Sequence, residues 1–180
     1  ATSDPDFPAQ IVGVGADRAD ATGLDRAMRA GVPTFVVDPK QYSDRGEWDR
    51  ALAAAIAPFD AEWVVSAGFM RILGEAVLSG HPQRIVNTHP ALLPSFPGAH
   101  AVRDALAYGV KVTGCTVHLV DSGVDTGPVL AQQAVAIEAG DDETSLHERI
   151  KSVEHELLVS VVASLCRHDV QVIGREVVFS

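Results

Sequence analysis

Asn87 and His89 stand two residues apart at the end of an apolar run, Arg84 to Asn87, that reads as a β-strand. In an extended chain alternate side chains leave the same face, so a carboxamide and an imidazole would project together into one cleft. Amide hydrogens and an imidazolium are the donors a developing oxyanion needs. Asp125 lies in the turn sequence DSGVDTGP, where its carboxylate could reach the rim of that cleft, sustain a charge on His89 and help move a proton. Each residue also has an ordinary reading: Asn87 can tie down the following turn, His89 can be a satisfied loop histidine, and turn aspartates commonly cap backbone amides. Spacing alone does not bring Asp125 to His89. The loop after the pair, ALLPSFPG, contains Pro94, Pro97 and Gly98, which stiffen it, with Leu93–Pro94 a candidate cis bond. Stiffness would fix donors before a reaction, although prolines also decorate ordinary turns.

Other constellations carry less. His81, His89, His100 and His118, with Asp125, could be taken for metal ligands, but none falls in a close-set motif such as HExxH, so no metal is expected. GVGAD around Gly13 and Gly15 lacks the third glycine of a dinucleotide fingerprint and reads as a strand end. Cys115 and Cys166 make no CxxC pair and fit small core fillers in a reduced protein.

The elements that must position these residues follow from periodicity. Ile11–Val14, Thr34–Val37, Trp63–Ser66 and Arg84–Asn87 read as short strands, with helices over Ala21–Ala30 and Trp48–Ala57 between them. That alternation indicates βαβ units and a parallel sheet covered on both faces. After Gly114 the pattern changes: Cys115–Val120 and Val129–Ile137 are β-rich runs with no helix between them, so an antiparallel addition is expected. Ser145, with Glu148 three residues on, would open a helix with Leu146, Ile150, Val153, Leu157, Val161 and Leu165 on one face. With 180 residues and 47% hydrophobic content the chain supports one core, hence a single domain over residues 1–180. A net charge of −10 without a basic run argues against a nucleic-acid partner. No apolar run is long enough for a membrane span, and a cytoplasmic location is expected.

Four blocks together resemble the phosphoribosylglycinamide formyltransferase family, the folate-dependent enzymes of purine synthesis, in its actinobacterial form. They are SAGFMRIL at Ser66–Leu73, NTHPALLPSFPGAH at Asn87–His100, GCTVHLVDSGVDTGPVLAQ at Gly114–Gln132, and the helix around Glu154. The resemblance runs from Phe7 to Val178. It implies a Rossmann-like α/β formyltransferase fold, a mostly parallel sheet with an antiparallel addition, and Asn87, His89 and Asp125 as the catalytic trio. It also implies that Met70, Arg71, Ile72, Leu73, Asn87, Asp121, Ser122, Gly123 and Val124 contact the folate, with Arg45 near its anionic tail. Lys151, Ser152, Val153 and Glu154 would face the second substrate, Glu154 holding its amine; Lys151 departs from the glutamine expected there.

The co-substrate so implied is 10-formyltetrahydrofolate and the acceptor glycinamide ribonucleotide, with no metal, no nucleic acid and no membrane partner; a homodimer is compatible. The chain opens at what resembles the family's second strand, so the first βα unit and its phosphate-binding turn are expected to be missing and the domain N-terminally incomplete. Two rivals stand beside the transferase. A formyltetrahydrofolate deformylase would admit water in place of the amine, but its motif would place a second histidine at Pro90; a non-catalytic folate or nucleotide binder would leave the trio idle.

Overall fold

The computed structural model describes residues 5–180. Its first half alternates short strands and helices: β1 (Val14–Ala16), α1 (Thr22–Arg29), β2 (Thr34–Val36), α2 (Arg45–Ile56), β3 (Val64–Ser66), α3 (Glu75–Gly80) and β4 (Ile85–His89). β1 pairs with β2 and β3 with β4, both in parallel, as strands joined through helices must. Then α4 (Ala101–Tyr108) leads to β5 (Val112–Leu119), which runs antiparallel to both β4 and β6 (Val129–Ala136). The sheet β3–β4–β5–β6 is thus an α/β sheet with the antiparallel addition that the two β-rich runs imply. α5 (Glu143–Arg167) crosses it, and β7 (Val170–Ile173) and β8 (Glu176–Phe179) close the chain as a hairpin.

Local chemistry explains where the elements differ from expectation. β1 starts at Val14 rather than Ile11, because the ladder begins where Val14 N–H donates to Pro33 O at 2.9 Å; Ile11 and Val12 remain exposed. The neighbouring glycines are packing residues: a Cβ at Gly13 would strike the Phe59 ring, and one at Gly15 the Phe35 ring. α5 is capped by Asp142 and not by Ser145. Asp142 accepts from Ser145 N–H at 2.8 Å while Ser145 Oγ accepts from Asp142 N–H at 3.0 Å, a reciprocal box one turn earlier than the Ser145–Glu148 reading. α3 and α4 span six and eight residues, too short to show a helical repeat against a Gly- and Pro-rich background.

β4 divides the core. Ile85 and Val86 are both fully buried but face opposite ways: Ile85 packs with Trp48, Leu52 and Val77 under α2 and α3, and Val86 with Val117, Leu119, Val161 and Leu165 under α5. Alternation then assigns every later side chain of the strand. Asn87 and His89 follow Ile85, and Thr88 follows Val86 toward α5.

Candidate active site

β5 lies against β4 with Asn87 opposite His118 and His89 opposite Thr116. All four side chains share one face, since Cys115, Val117 and Leu119 supply the other to the α5 core. Asn87 Nδ2 and His118 Nε2 are 3.2 Å apart, and His118 Nδ1 is 2.8 Å from Leu119 O. A carbonyl only accepts, so Nδ1 carries the hydrogen of His118 and Nε2 must accept from the Asn87 amide. His118 is 2% exposed, and burial, ahead of every other influence, holds its imidazole below the ordinary value of 6.5. A neutral histidine with an assigned tautomer therefore orients the Asn87 carboxamide. One Nδ2 hydrogen of Asn87 is left for a ligand.

The proton that the folded state refuses is accepted by the unfolded chain, so as pH falls through 6.5 the His118 contribution destabilises the fold, with the loss complete below the lowered native value. Melting curves across this range should show a shallower acid-side decline for His118→Asn than for the parent.

His89 is buried and bridged on both ring nitrogens. Nε2 donates to Phe96 O at 2.8 Å, and Nδ1 lies 3.3 Å from Asp125 Oδ2. Two acceptors facing two ring nitrogens match an imidazolium, which has a hydrogen for each. Asp125 reaches this point from the β5–β6 loop with a left-handed backbone, φ 54°, and its Oδ2 also accepts from Gly98 N–H at 2.8 Å. Its other oxygen, Oδ1, is 3.6 Å from His118 Nε2, but that nitrogen carries no hydrogen. Oδ1 keeps its acceptor capacity. Asp125 also lines a cavity of about 510 Å³ with Leu93, Pro94, Pro97, Val124 and Arg175, the last brought in by the β7–β8 turn.

Thr116 holds the stiff loop. Its hydroxyl donates to Ala91 O at 2.7 Å and accepts from Leu93 N–H at 3.1 Å and Gln132 Nε2 at 2.9 Å. The Leu93–Pro94 bond is cis. Thr116→Val keeps the shape and strands these partners, so a loss of roughly 1–3 kcal/mol in unfolding free energy is expected, read by denaturant titration.

The formyl transferase family profile matches residues 1–162. The chain belongs to the formyl transferase family. It is 57% identical over 170 residues to the phosphoribosylglycinamide formyltransferase of Mycobacterium tuberculosis H37Rv, a span covering 94% of this chain and 79% of that protein. It is 41% identical over 170 residues to the human trifunctional purine biosynthetic protein adenosine-3, where the match covers 94% of this chain and 17% of the larger protein. Among solved structures, glycinamide ribonucleotide transformylase 1 from Symbiobacterium toebii superposes with a TM-score of 0.93 at 42% identity, covering 96% of this chain and 82% of that one.

Within this formyl transferase the remaining sequence-implied residues fall into distinct settings. Met70, Arg71 and Ile72 are exposed on the loop after β3, whereas the Leu73 side chain packs into the core beside Trp48 and Val77. Arg71 pairs with Asp17 on the β1–α1 connection. Arg45, in the first turn of α2, donates from Nη2 to Ile72 O at 2.6 Å. Asp121, Ser122, Gly123 and Val124 form the first part of the loop that carries Asp125; Asp121 Oδ1 folds it by accepting from Gly123 N–H at 3.0 Å and Thr126 Oγ1 at 2.6 Å. On α5, Lys151 pairs with Glu148, Ser152 bonds back to the Glu148 carbonyl, and Val153 packs against the core. Only Glu154 reaches β4, accepting from Thr88 Oγ1 at 2.9 Å. Thr88 alternates with Asn87 and His89, so Glu154 meets β4 on the α5 side of the strand.

Among the described residues no group of three or more His, Cys, Asp or Glu is arranged to hold a metal ion; His81 stands at the C-terminal end of α3 and His100 at the N-terminal end of α4. No described helix is long and apolar enough to cross a membrane. Cys115 is fully buried, and burial raises its thiol to about 11, which leaves it inert as a nucleophile. Sequence reasoning assigned no role to His118. Its signal was present, because Thr116 and His118 are the polar positions of an alternating strand whose other face is apolar.

Proposed function

We propose that this protein transfers the formyl group of 10-formyltetrahydrofolate to the amine of glycinamide ribonucleotide, a step of purine biosynthesis. The observation that carries the reading is the convergence of Asn87, His89 and Asp125 at the carboxyl end of β4, with one Asn87 hydrogen and one Asp125 oxygen unspent. The names of the relatives supply the substrates. The exposed apolar side chains of Met70, Ile72 and Val124 flank this end of the sheet and suit a flat heteroaromatic ring, so the Met70–Leu73 and Asp121–Val124 segments are assigned to the pteridine, and Arg45 to the anionic tail of the folate. Lys151, Ser152, Val153 and Glu154 are assigned to the ribonucleotide.

In the proposed reaction the neutral amine attacks the formyl carbon and a tetrahedral oxyanion forms. Asn87 Nδ2 donates its remaining hydrogen to that oxygen. His89 acts through its charge, since both its N–H groups are already spent on Phe96 O and Asp125 Oδ2. Asp125 Oδ1 takes up the proton of the attacking amine, directly or through an ordered water, and returns it to N10 of the folate as the carbon–nitrogen bond breaks. The products are tetrahydrofolate and the formylated amine, with no net proton change. Holding the two reactants in line in one crevice supplies further rate.

Following folate consumption with and without glycinamide ribonucleotide tests the reading. Turnover that requires the ribonucleotide is expected. Equal turnover in its absence would make the protein a deformylase, and folate binding without turnover a silent binder.

A further inference from the structure

α2 carries two side chains four residues apart that both reach the loop following β3. Arg45 Nη2 donates to Ile72 O at 2.6 Å. One turn on, Asp49 is only 5% exposed, and its carboxylate is spent on two backbone amides: Oδ1 accepts from Gly74 N–H at 2.7 Å and Oδ2 from Ala76 N–H at 2.8 Å. The fit is close. A Cβ on Gly74 would lie 2.5 Å from the Asp49 carboxyl carbon, although the Gly74 backbone, at φ −95° and ψ −177°, is an extended conformation open to any residue. Glycine is required there by the carboxylate and not by the backbone. The loop so held starts from Ser66, which sits beside Asn87 in the sheet, and it ends in three consecutive anchors: the Ile72 carbonyl, the buried Leu73 side chain and the Gly74 amide. Between these fixed ends Met70, 75% exposed, is held out toward solvent.

We propose that Asp49, assisted by Arg45, is a positioning residue for folate: it sets the height of the Met70–Leu73 loop over the Asn87 end of the sheet. The proposal rests on the assignment of that loop to the pteridine made above. A buried carboxylate is well suited to the task, because each charge-assisted bond to a backbone amide is directional and stronger than a neutral one. Asn at this position must turn an NH₂ toward either Gly74 or Ala76, replacing one attraction with a donor–donor clash, while the side-chain volume stays the same.

The test is steady-state kinetics of the parent, Asp49→Asn, Gly74→Ala and the double variant, with melting temperatures alongside. Each single variant should raise KM for 10-formyltetrahydrofolate about tenfold, the equivalent of one charge-assisted hydrogen bond, with kcat and the KM for glycinamide ribonucleotide within about twofold of the parent. The double variant should be little worse than either single one, because both break the same contact. An unchanged folate KM in the single variants, or an equal rise in both KM values, overturns the proposal. Should Asp49→Asn fail to fold, Gly74→Ala carries the test alone, since its backbone tolerates a side chain. A parent enzyme without ribonucleotide-dependent folate turnover would instead overturn the functional reading; an active parent with unaltered variants overturns the positioning role alone.

Discussion

Asp125→Asn should lower kcat by about 10²–10⁴-fold and leave folate KM within a few-fold, the range expected when a positioned proton carrier is lost. The geometry separates the two effects. The variant's amide oxygen can still accept from Gly98 N–H where Oδ2 stands now, so the Phe96–Gly98 loop keeps its tie. Its NH₂ then occupies the Oδ1 position, 3.6 Å from His118 Nε2, whose lone pair is already committed to the Asn87 amide. The group that should receive the amine proton has become a donor. The charge opposite His89 Nδ1 is gone as well. Pre-steady-state measurement of formyl transfer, with folate affinity determined by direct titration, checks both halves. Parent-like transfer in this variant would remove Asp125 from the chemistry.

Asn87→Ala is expected to cost roughly 10²–10³-fold in kcat, the usual consequence of removing one oxyanion donor. The same change strands His118 Nε2, whose only hydrogen-bonding neighbour among the described residues is the Asn87 amide, so a stability loss of about 1–3 kcal/mol should accompany it. The two effects are separable by denaturant titration, since rates can be normalised to folded protein. His118→Asn should show a smaller kinetic defect, because it loosens the carboxamide without deleting its hydrogen. An Asn87→Ala enzyme with normal kcat would remove Asn87 from oxyanion stabilisation.

Much of this site could be read from residue types. Period-two alternation placed Asn87 and His89 on one face, and β4 keeps that face because Ile85 two residues earlier is fixed in the α2–α3 core. The antiparallel addition was legible because nothing helical separates Cys115–Val120 from Val129–Ile137. What joins Asp125 to His89 was not: it depends on a non-glycine residue at φ 54° and on Gly98 N–H, two features of a turn that residue types do not announce. His118 could be weighed from residue types only as a metal ligand, since its orienting role exists through its cross-strand neighbour. The helix reading put Glu154 on the correct element, yet the face it meets on β4 is that of Thr88. Leu73 sits in a motif that resembles a ligand loop, but its side chain is the anchor that holds the loop to the core. Contacts across elements, more than the elements themselves, are where residue patterns stop being informative.

The central claim is that one crevice moves a formyl carbon from folate nitrogen to an amine without releasing it to water. Single-turnover reaction of 10-formyltetrahydrofolate, carbon-labelled in the formyl group, with excess protein and glycinamide ribonucleotide tests it most directly. The label should pass quantitatively to the ribonucleotide amine as tetrahydrofolate appears, at matching rates. Label recovered as free formate, at a rate indifferent to the ribonucleotide, would contradict the account.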